Sequence, residues 1–114
     1  MNSQETHAIA CEFREVLEKD GAGALEHYDW ASRFFDLEFE MDCGESFEGA
    51  YGLKLGNPEG FVLNRSRIDD ARILGNAIFS QCRYLTHWSD GYGDEDAAWL
   101  VAALKRLEEL TCTQ

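Results

Sequence analysis

Residues 35–43 most restrict what this chain can fold into, because apolar and acidic side chains alternate along them without exception. The odd positions are apolar, and the even positions carry the carboxylates of Asp36, Glu38, Glu40 and Asp42. Successive side chains of a β-strand point to opposite faces, whereas a helix repeats its face every three to four residues. The alternation therefore predicts a half-buried strand with one apolar face and one acidic face.

Two further strands are predicted directly after this one. A turn at 44–46 leads into residues 47–55, whose odd positions again hold the larger apolar groups. Residues 56–60 are rich in the Gly, Asn and Pro that are typical of turns, and residues 61–63 form a short apolar run that suits a third strand. Together the three runs predict an antiparallel meander.

Helical periodicity predicts a first and a last helix. In residues 3–19 apolar side chains recur at helical spacing, with Ser3 as a cap and the glycines of 21–23 as a stop signal. The acids at 94–96 favour the first turn of a final helix because they complement its dipole. Its expected buried face consists of Leu100, Ala103, Leu104, Leu107 and Leu110.

A third, longer helix is predicted between the meander and the final helix. Ser66 and Asp69 have the spacing of a capping box, and the apolar residues downstream predict a helix of about twenty residues, beyond the mean of ~11–12. A glycine inside a helix is unfavourable, so Gly75 indicates close packing against the sheet or a bend.

The order of these elements, α-β-β-β-α-α, predicts an α+β fold in a single domain of residues 1–114. An open antiparallel sheet usually buries one face, so three main helices are expected to cover one side of the three-stranded sheet. The other side would display the carboxylates of Asp36, Glu38, Glu40 and Asp42.

The net charge of the chain restricts the classes of partner that it can bind. The chain has 10 Lys and Arg against 22 Asp and Glu, which gives a net charge of −12 at pH 7. Such a charge disfavours direct binding to nucleic acid or to an anionic membrane. It suits a basic protein partner, because complementary charge speeds encounter and selects the partner.

The acids of the predicted hairpin have no local counter-charge. Residues 34–53 add Glu45 and Glu48 to the four acids of the first strand, and they contain no Lys, Arg or His. This pattern is typical either of a solvated edge that prevents aggregation or of a preformed surface for a cationic partner. A further alternative is neutralisation of the acidic face by Arg65, Arg67 and Arg72.

A second group of candidate residues lies at the predicted end of the long helix. Arg83 and His87 are four residues apart, as are Tyr84 and Trp88, so each pair shares a helix face. Cations suit the C-terminus of a helix for structural reasons, but Trp, Tyr and Arg are also enriched in binding hot spots. Tyr84, His87 and Trp88 are therefore candidate partner-binding residues, and an acid or base at His87 is the alternative.

No motif in the sequence indicates a metal or a cofactor. The four cysteines are at least 30 positions apart, whereas zinc-binding cysteines usually come in closely spaced pairs. Asp90 and the acids after it do not fit a calcium-binding EF-hand loop, because Glu95 stands where such a loop needs a glycine. Cys43 and Cys82 fall on apolar faces and are expected to be small buried residues. The first residues do not resemble a secretory signal and no apolar run approaches ~20 residues, so a cytoplasmic location is expected.

The leading hypothesis is a small acidic interaction protein of the inhibitor or immunity type. Its acidic sheet face would block a basic partner, such as a toxin or nuclease, with carboxylates in the place of phosphates. One alternative is a small enzyme or ligand-binding domain that uses Arg83, His87 and Trp88. Another is a structural subunit of a homodimer, since the sequence is compatible with a monomer or a homodimer.

Overall fold

The structure, a computed structural model, describes residues 3–23, 33, 47–87 and 93–112. All regular secondary structure of these residues is helical. Two short 3-10 helices accompany the α-helices, one at Gly21–Gly23 and one at Arg65–Arg67. The α-helices of this part of the chain are α1 (Ser3–Asp20), α2 (Phe47–Tyr51), α3 (Pro58–Leu63), α4 (Ala71–His87) and α5 (Asp94–Thr111).

The predicted α+β fold is wrong for the part of the chain that the structure describes, which contains no strand and no sheet. The predicted second strand, residues 47–55, is helix α2 followed by a turn, and the third, residues 61–63, belongs to helix α3. The predicted first strand, residues 35–43, lies outside the described residues. Because residues of the second and third predicted strands are helical, the predicted three-stranded meander is wrong.

Helix α2 shows why the alternation misled. Phe47 and Tyr51 are four residues apart. This spacing equals two repeats of a strand pattern, but it also places both residues on one face of a helix. Both are buried, and their rings meet edge to face with centroids 5.4 Å apart. The Tyr51 hydroxyl also accepts a hydrogen bond from the Asp70 backbone N–H at 3.1 Å, so α2 is anchored against the start of α4.

Helix α3 begins within residues 56–60, which were predicted to form a turn. The Asn57 side chain accepts a hydrogen bond from the Gly60 N–H at 3.1 Å, and Pro58 occupies the first helical position. Both residues are as typical of a helix start as of a turn. Gly56 before them has a φ of +83°, a conformation that side chains disfavour, so the chain can reverse there.

The three long helices are present. Helix α1 ends at Asp20, and Gly21 beyond it has a φ of +62°, which confirms the predicted stop. Helix α5 begins at Asp94 and buries Leu100, Ala103, Leu104 and Leu107, as predicted, while Leu110 is partly buried. These two helices pack against each other along the most extensive contact of the described residues.

Helix α4 begins later than predicted, at Ala71 instead of Ser66. The Asp70 carboxylate accepts hydrogen bonds from the N–H groups of Arg72 at 2.9 Å and Ile73 at 3.3 Å, so Asp70 caps the helix. Ser66 lies in the preceding 3-10 helix. Gly75 is buried inside α4, and the part of the chain that the structure describes contains no sheet for it to contact.

An aromatic cluster joins the two short helices to α5. Trp99 of α5 is fully buried and lies edge to face with Phe47 of α2 and Phe61 of α3, at centroid distances of 6.1 and 5.9 Å. Phe47 and Phe61 stack on each other at 6.2 Å. Because helices of five and six residues are not stable alone, these rings position α2 and α3.

Candidate functional site

The acidic segment is the group of predicted site acids, namely Asp36, Glu38, Glu40, Asp42, Glu45 and Glu48. The structure describes only the last of them. Glu48 is exposed on α2, directly after the buried Phe47. Asp36, Glu38, Glu40, Asp42 and Glu45 lie outside the described residues.

Each of the arginines that could neutralise the acidic segment contacts a described residue. Arg65 forms an ion pair with Glu109 of α5. Arg67 donates hydrogen bonds to the Asn64 side-chain oxygen at 3.0 Å and to the Tyr51 carbonyl oxygen at 3.3 Å. Arg72 lies 3.8 Å from the Asp70 carboxylate.

Other basic side chains also contact described acids. Arg14 of α1 holds the Glu108 carboxylate of α5 with two hydrogen bonds, of 2.6 and 3.1 Å. This contact raises the pKa of Arg14 above its ordinary value. Lys105 lies 3.6 Å from Glu18, and the Arg106 Nε donates to the Ile68 carbonyl oxygen at 2.8 Å.

Arg33 forms an ion pair with Glu12 of helix α1. Its two terminal nitrogens donate to the two carboxylate oxygens of Glu12 at 2.8 and 3.2 Å. Such a bidentate pair is stronger than a single contact. The hydrogen bonds from Arg33 hold the pKa of Glu12 below its usual range.

The predicted group at the end of α4 is described only in part. Arg83 is exposed, and Tyr84 keeps 53% of its surface accessible. His87 is the last residue of α4, and Trp88 and Asp90 lie outside the described residues. Arg83 and Tyr84 line neither the cleft between α2 and α4 nor the smaller cleft beside Trp99.

A cleft that sequence reasoning missed lies between α2 and α4. Its volume is about 210 Å³. One side of it is a stripe along α4, with the buried Ile73 and Ala77, the half-buried Asn76 and the exposed Ser80 at the rim. The full lining consists of Phe47, Glu48, Leu55, Ile73, Asn76, Ala77 and Ser80.

The cleft combines an apolar floor with oxygen atoms at its mouth. Phe47, Ile73 and Ala77 are buried, whereas Glu48 and Ser80 are exposed. A carboxylate and a hydroxyl accept hydrogen bonds, and the lining contains no Lys, Arg or His. The cleft therefore suits a ligand that has an apolar stem and a positively charged, hydrogen-bonding end.

The missed signal is the helical spacing of the lining residues. Ile73, Asn76, Ala77 and Ser80 recur at intervals of three and four, which places them on one face of α4. The opposite wall could not be found while residues 47–55 were interpreted as a strand. Only the helical conformation of α2 brings Phe47 and Glu48 to this face.

The remaining features of the described residues show no metal centre. The described His, Cys, Asp and Glu side chains form no group of three or more that could hold a metal ion. Cys11, Cys82 and Cys112 are free thiols, and Cys82 is buried as predicted, whereas Cys43 lies outside the described residues. Within the described ranges, no helix is both long enough and apolar enough to cross a membrane.

Comparison with known proteins gives this chain no relative. No protein family, no curated protein and no solved structure matches it.

Proposed function

We propose that this chain is a small acidic interaction protein that binds a basic protein partner through the acidic segment. The proposal includes an inhibitor or immunity-type role in the cytoplasm, in which the bound chain blocks a nucleic-acid-binding site of a toxin or nuclease. Carboxylates would then occupy the positions of phosphates. This role depends on the charge of the acidic segment and on its position in the chain, and it does not require a sheet.

The observation that carries the proposal is the distribution of basic side chains. All Lys and Arg residues of the chain lie outside residues 34–46, which contain five acids. Several of these basic side chains hold acids or oxygens of the described helices. They include Arg14, Arg65, Arg67, Lys105 and Arg106.

The lack of any Lys, Arg or His within residues 34–46 favours an external counter-charge for the acidic segment. Acids spaced two apart in a single stretch repel one another, and a cationic partner relieves that repulsion. Charge complementarity of this kind mainly accelerates association and selects the partner. The expected signature is therefore an association rate that falls steeply with ionic strength.

The test measures association with a basic nuclease or toxin, chosen first from the neighbouring genes, by stopped flow or surface plasmon resonance at several salt concentrations. The variant Glu38→Lys/Glu40→Lys is expected to slow association by about tenfold or more at low salt and to flatten its salt dependence. The loss arises because two attractive charges become repulsive.

The matched control is Glu15→Lys/Asp20→Lys, which changes the net charge equally at two exposed acids of α1. It is expected to retain most of the association rate, because its charges lie outside the acidic segment. Equal rates for the two double variants would contradict a role for the acidic segment.

A further inference from the structure

We infer that the cleft between α2 and α4 receives one arginine or lysine side chain of the basic partner. The inference rests on the proposed function and specifies how the partner is anchored. The binding site consists of the apolar floor formed by Phe47, Ile73 and Ala77, together with the carboxylate of Glu48 at the mouth.

The volume of the cleft favours a side chain over a free small molecule as its occupant. Pockets that hold small-molecule ligands typically measure roughly 300–1,000 Å³. The cleft measures about 210 Å³, which falls below that range. It therefore fits a single side chain that enters from a partner surface better than a whole substrate.

The lining decides the chemistry of that side chain. A purely apolar side chain would remove water from the Glu48 carboxylate without replacing its hydrogen bonds. An anionic side chain would meet Glu48 at the entrance and no basic residue in the lining. Arginine and lysine have an apolar stem that packs on the floor and a cation that pairs at the mouth.

Position also favours a cationic occupant. Glu48 is the last acid of the acidic segment, and only two residues separate it from Glu45. A partner that is drawn to this segment by charge meets the cleft at the end of the same stretch. A buried basic anchor surrounded by weaker charge contacts is a common arrangement of binding hot spots.

The experiment titrates the full chain, labelled with ¹⁵N, with acetyl-arginine amide and follows backbone amide shifts by NMR. Acetyl-citrulline amide serves as the uncharged probe, since its side chain is similar in size. We expect saturable shifts at Glu48, Asn76, Ala77 and Ser80 with the arginine probe, and binding roughly threefold to fivefold weaker with citrulline.

Two variants test the cleft directly. Glu48→Gln is expected to weaken the arginine probe by the same factor, whereas Glu59→Gln, an exposed acid of α3 outside the lining, is expected to have no effect. Ser80→Tyr places a ring at the exposed rim and is expected to abolish the shifts. Circular dichroism checks that each variant is folded.

The outcomes separate the two proposals. Equal binding of arginine and citrulline, or equal behaviour of Glu48→Gln and Glu59→Gln, would overturn the cleft as a cation site. If Glu38→Lys/Glu40→Lys still slows association with a basic partner, the proposed function survives that failure. If arginine binds specifically in the cleft but Glu38→Lys/Glu40→Lys has no effect on association, only the role of the acidic segment is overturned.

Discussion

The two halves of helix α5 are held in the fold by different interactions. The N-terminal half contributes Trp99, which is buried among the rings of Phe47 and Phe61. The C-terminal half contributes Glu108, whose carboxylate is held by two hydrogen bonds from Arg14. The buried apolar face of α5 continues through both halves, and the C-terminal half adds directional polar contacts to it. We call the N-terminal half, with its ring cluster, the apolar end and the C-terminal half the polar end.

The polar end of α5 also secures the N-terminal helix. The His7 Nδ1 donates to the Glu108 carbonyl oxygen at 3.0 Å and lies 3.3 Å from the Thr111 hydroxyl. These bonds join residues more than 100 positions apart. Polar contacts at α1 set the alignment of two helices that are already well formed, whereas ring packing at Trp99 holds helices that are too short to form alone.

The largest expected effect comes from the apolar end. Trp99→Ala removes the ring that contacts both short helices and should lower the free energy of unfolding by about 3–5 kcal/mol. Urea denaturation followed by circular dichroism measures this change. Trp99→Phe is the control, since it keeps a ring and removes the indole N–H, which is buried and has no hydrogen-bond partner among the described residues.

We expect Trp99→Phe to cost clearly less than Trp99→Ala. A similar loss for the two variants would show that ring packing is not what holds α2 and α3.

The polar end should give a smaller effect. Glu108→Gln replaces the carboxylate that accepts from Arg14 in a contact where both side chains are mostly buried, and should cost about 1–3 kcal/mol. Glu109→Gln is the control on the same helix, because its ion pair with Arg65 is more exposed and should contribute less than about 1 kcal/mol. Equal losses for the two variants would contradict a special role for the Arg14–Glu108 contact.

The smallest expected effect concerns the exposed pair of Glu12 and Arg33. Because Arg33 lowers the pKa of Glu12, the pair stabilises the native state above the unfolded pKa of about 4.3. That contribution is lost as the pH falls through the lower native pKa. Since both side chains are accessible to solvent, it should be less than about 1 kcal/mol.

Urea unfolding of the wild type and of Glu12→Gln checks this pH dependence. The wild type should be slightly more stable at pH 7, and the difference should disappear near pH 2, where Glu12 is protonated. An equal difference at both pH values would assign the effect to something other than the charge of Glu12.

The long helices were predictable because their signals are repeated and local. Helical spacing over residues 3–19 and the acids at 94–96 each predict helix without reference to the rest of the chain. Trp99 was not named in the predicted buried face, although the structure buries it completely. Its role depends on Phe47 and Phe61, which lie far away in the sequence.

The candidate site was less predictable than the helices. The acidic segment and its lack of local counter-charge can be read from the residues, but the cleft beside Glu48 cannot. That cleft requires α2 to lie against α4, and the contact of Tyr51 with Asp70 is part of what holds it there. A pattern with period two in a short stretch does not distinguish a strand from a helix whose buried residues are four apart.

The amino-acid sequence was sufficient for the net charge, the two terminal helices, the glycine stop after α1 and the buried face of α5, because each depends on neighbours within one or two turns. The conformation of residues 47–63, the partners of the arginines and the cleft between α2 and α4 depended on the tertiary structure. Those residues are too few to form stable helices alone, and their conformation is selected by contacts with Trp99 and α4.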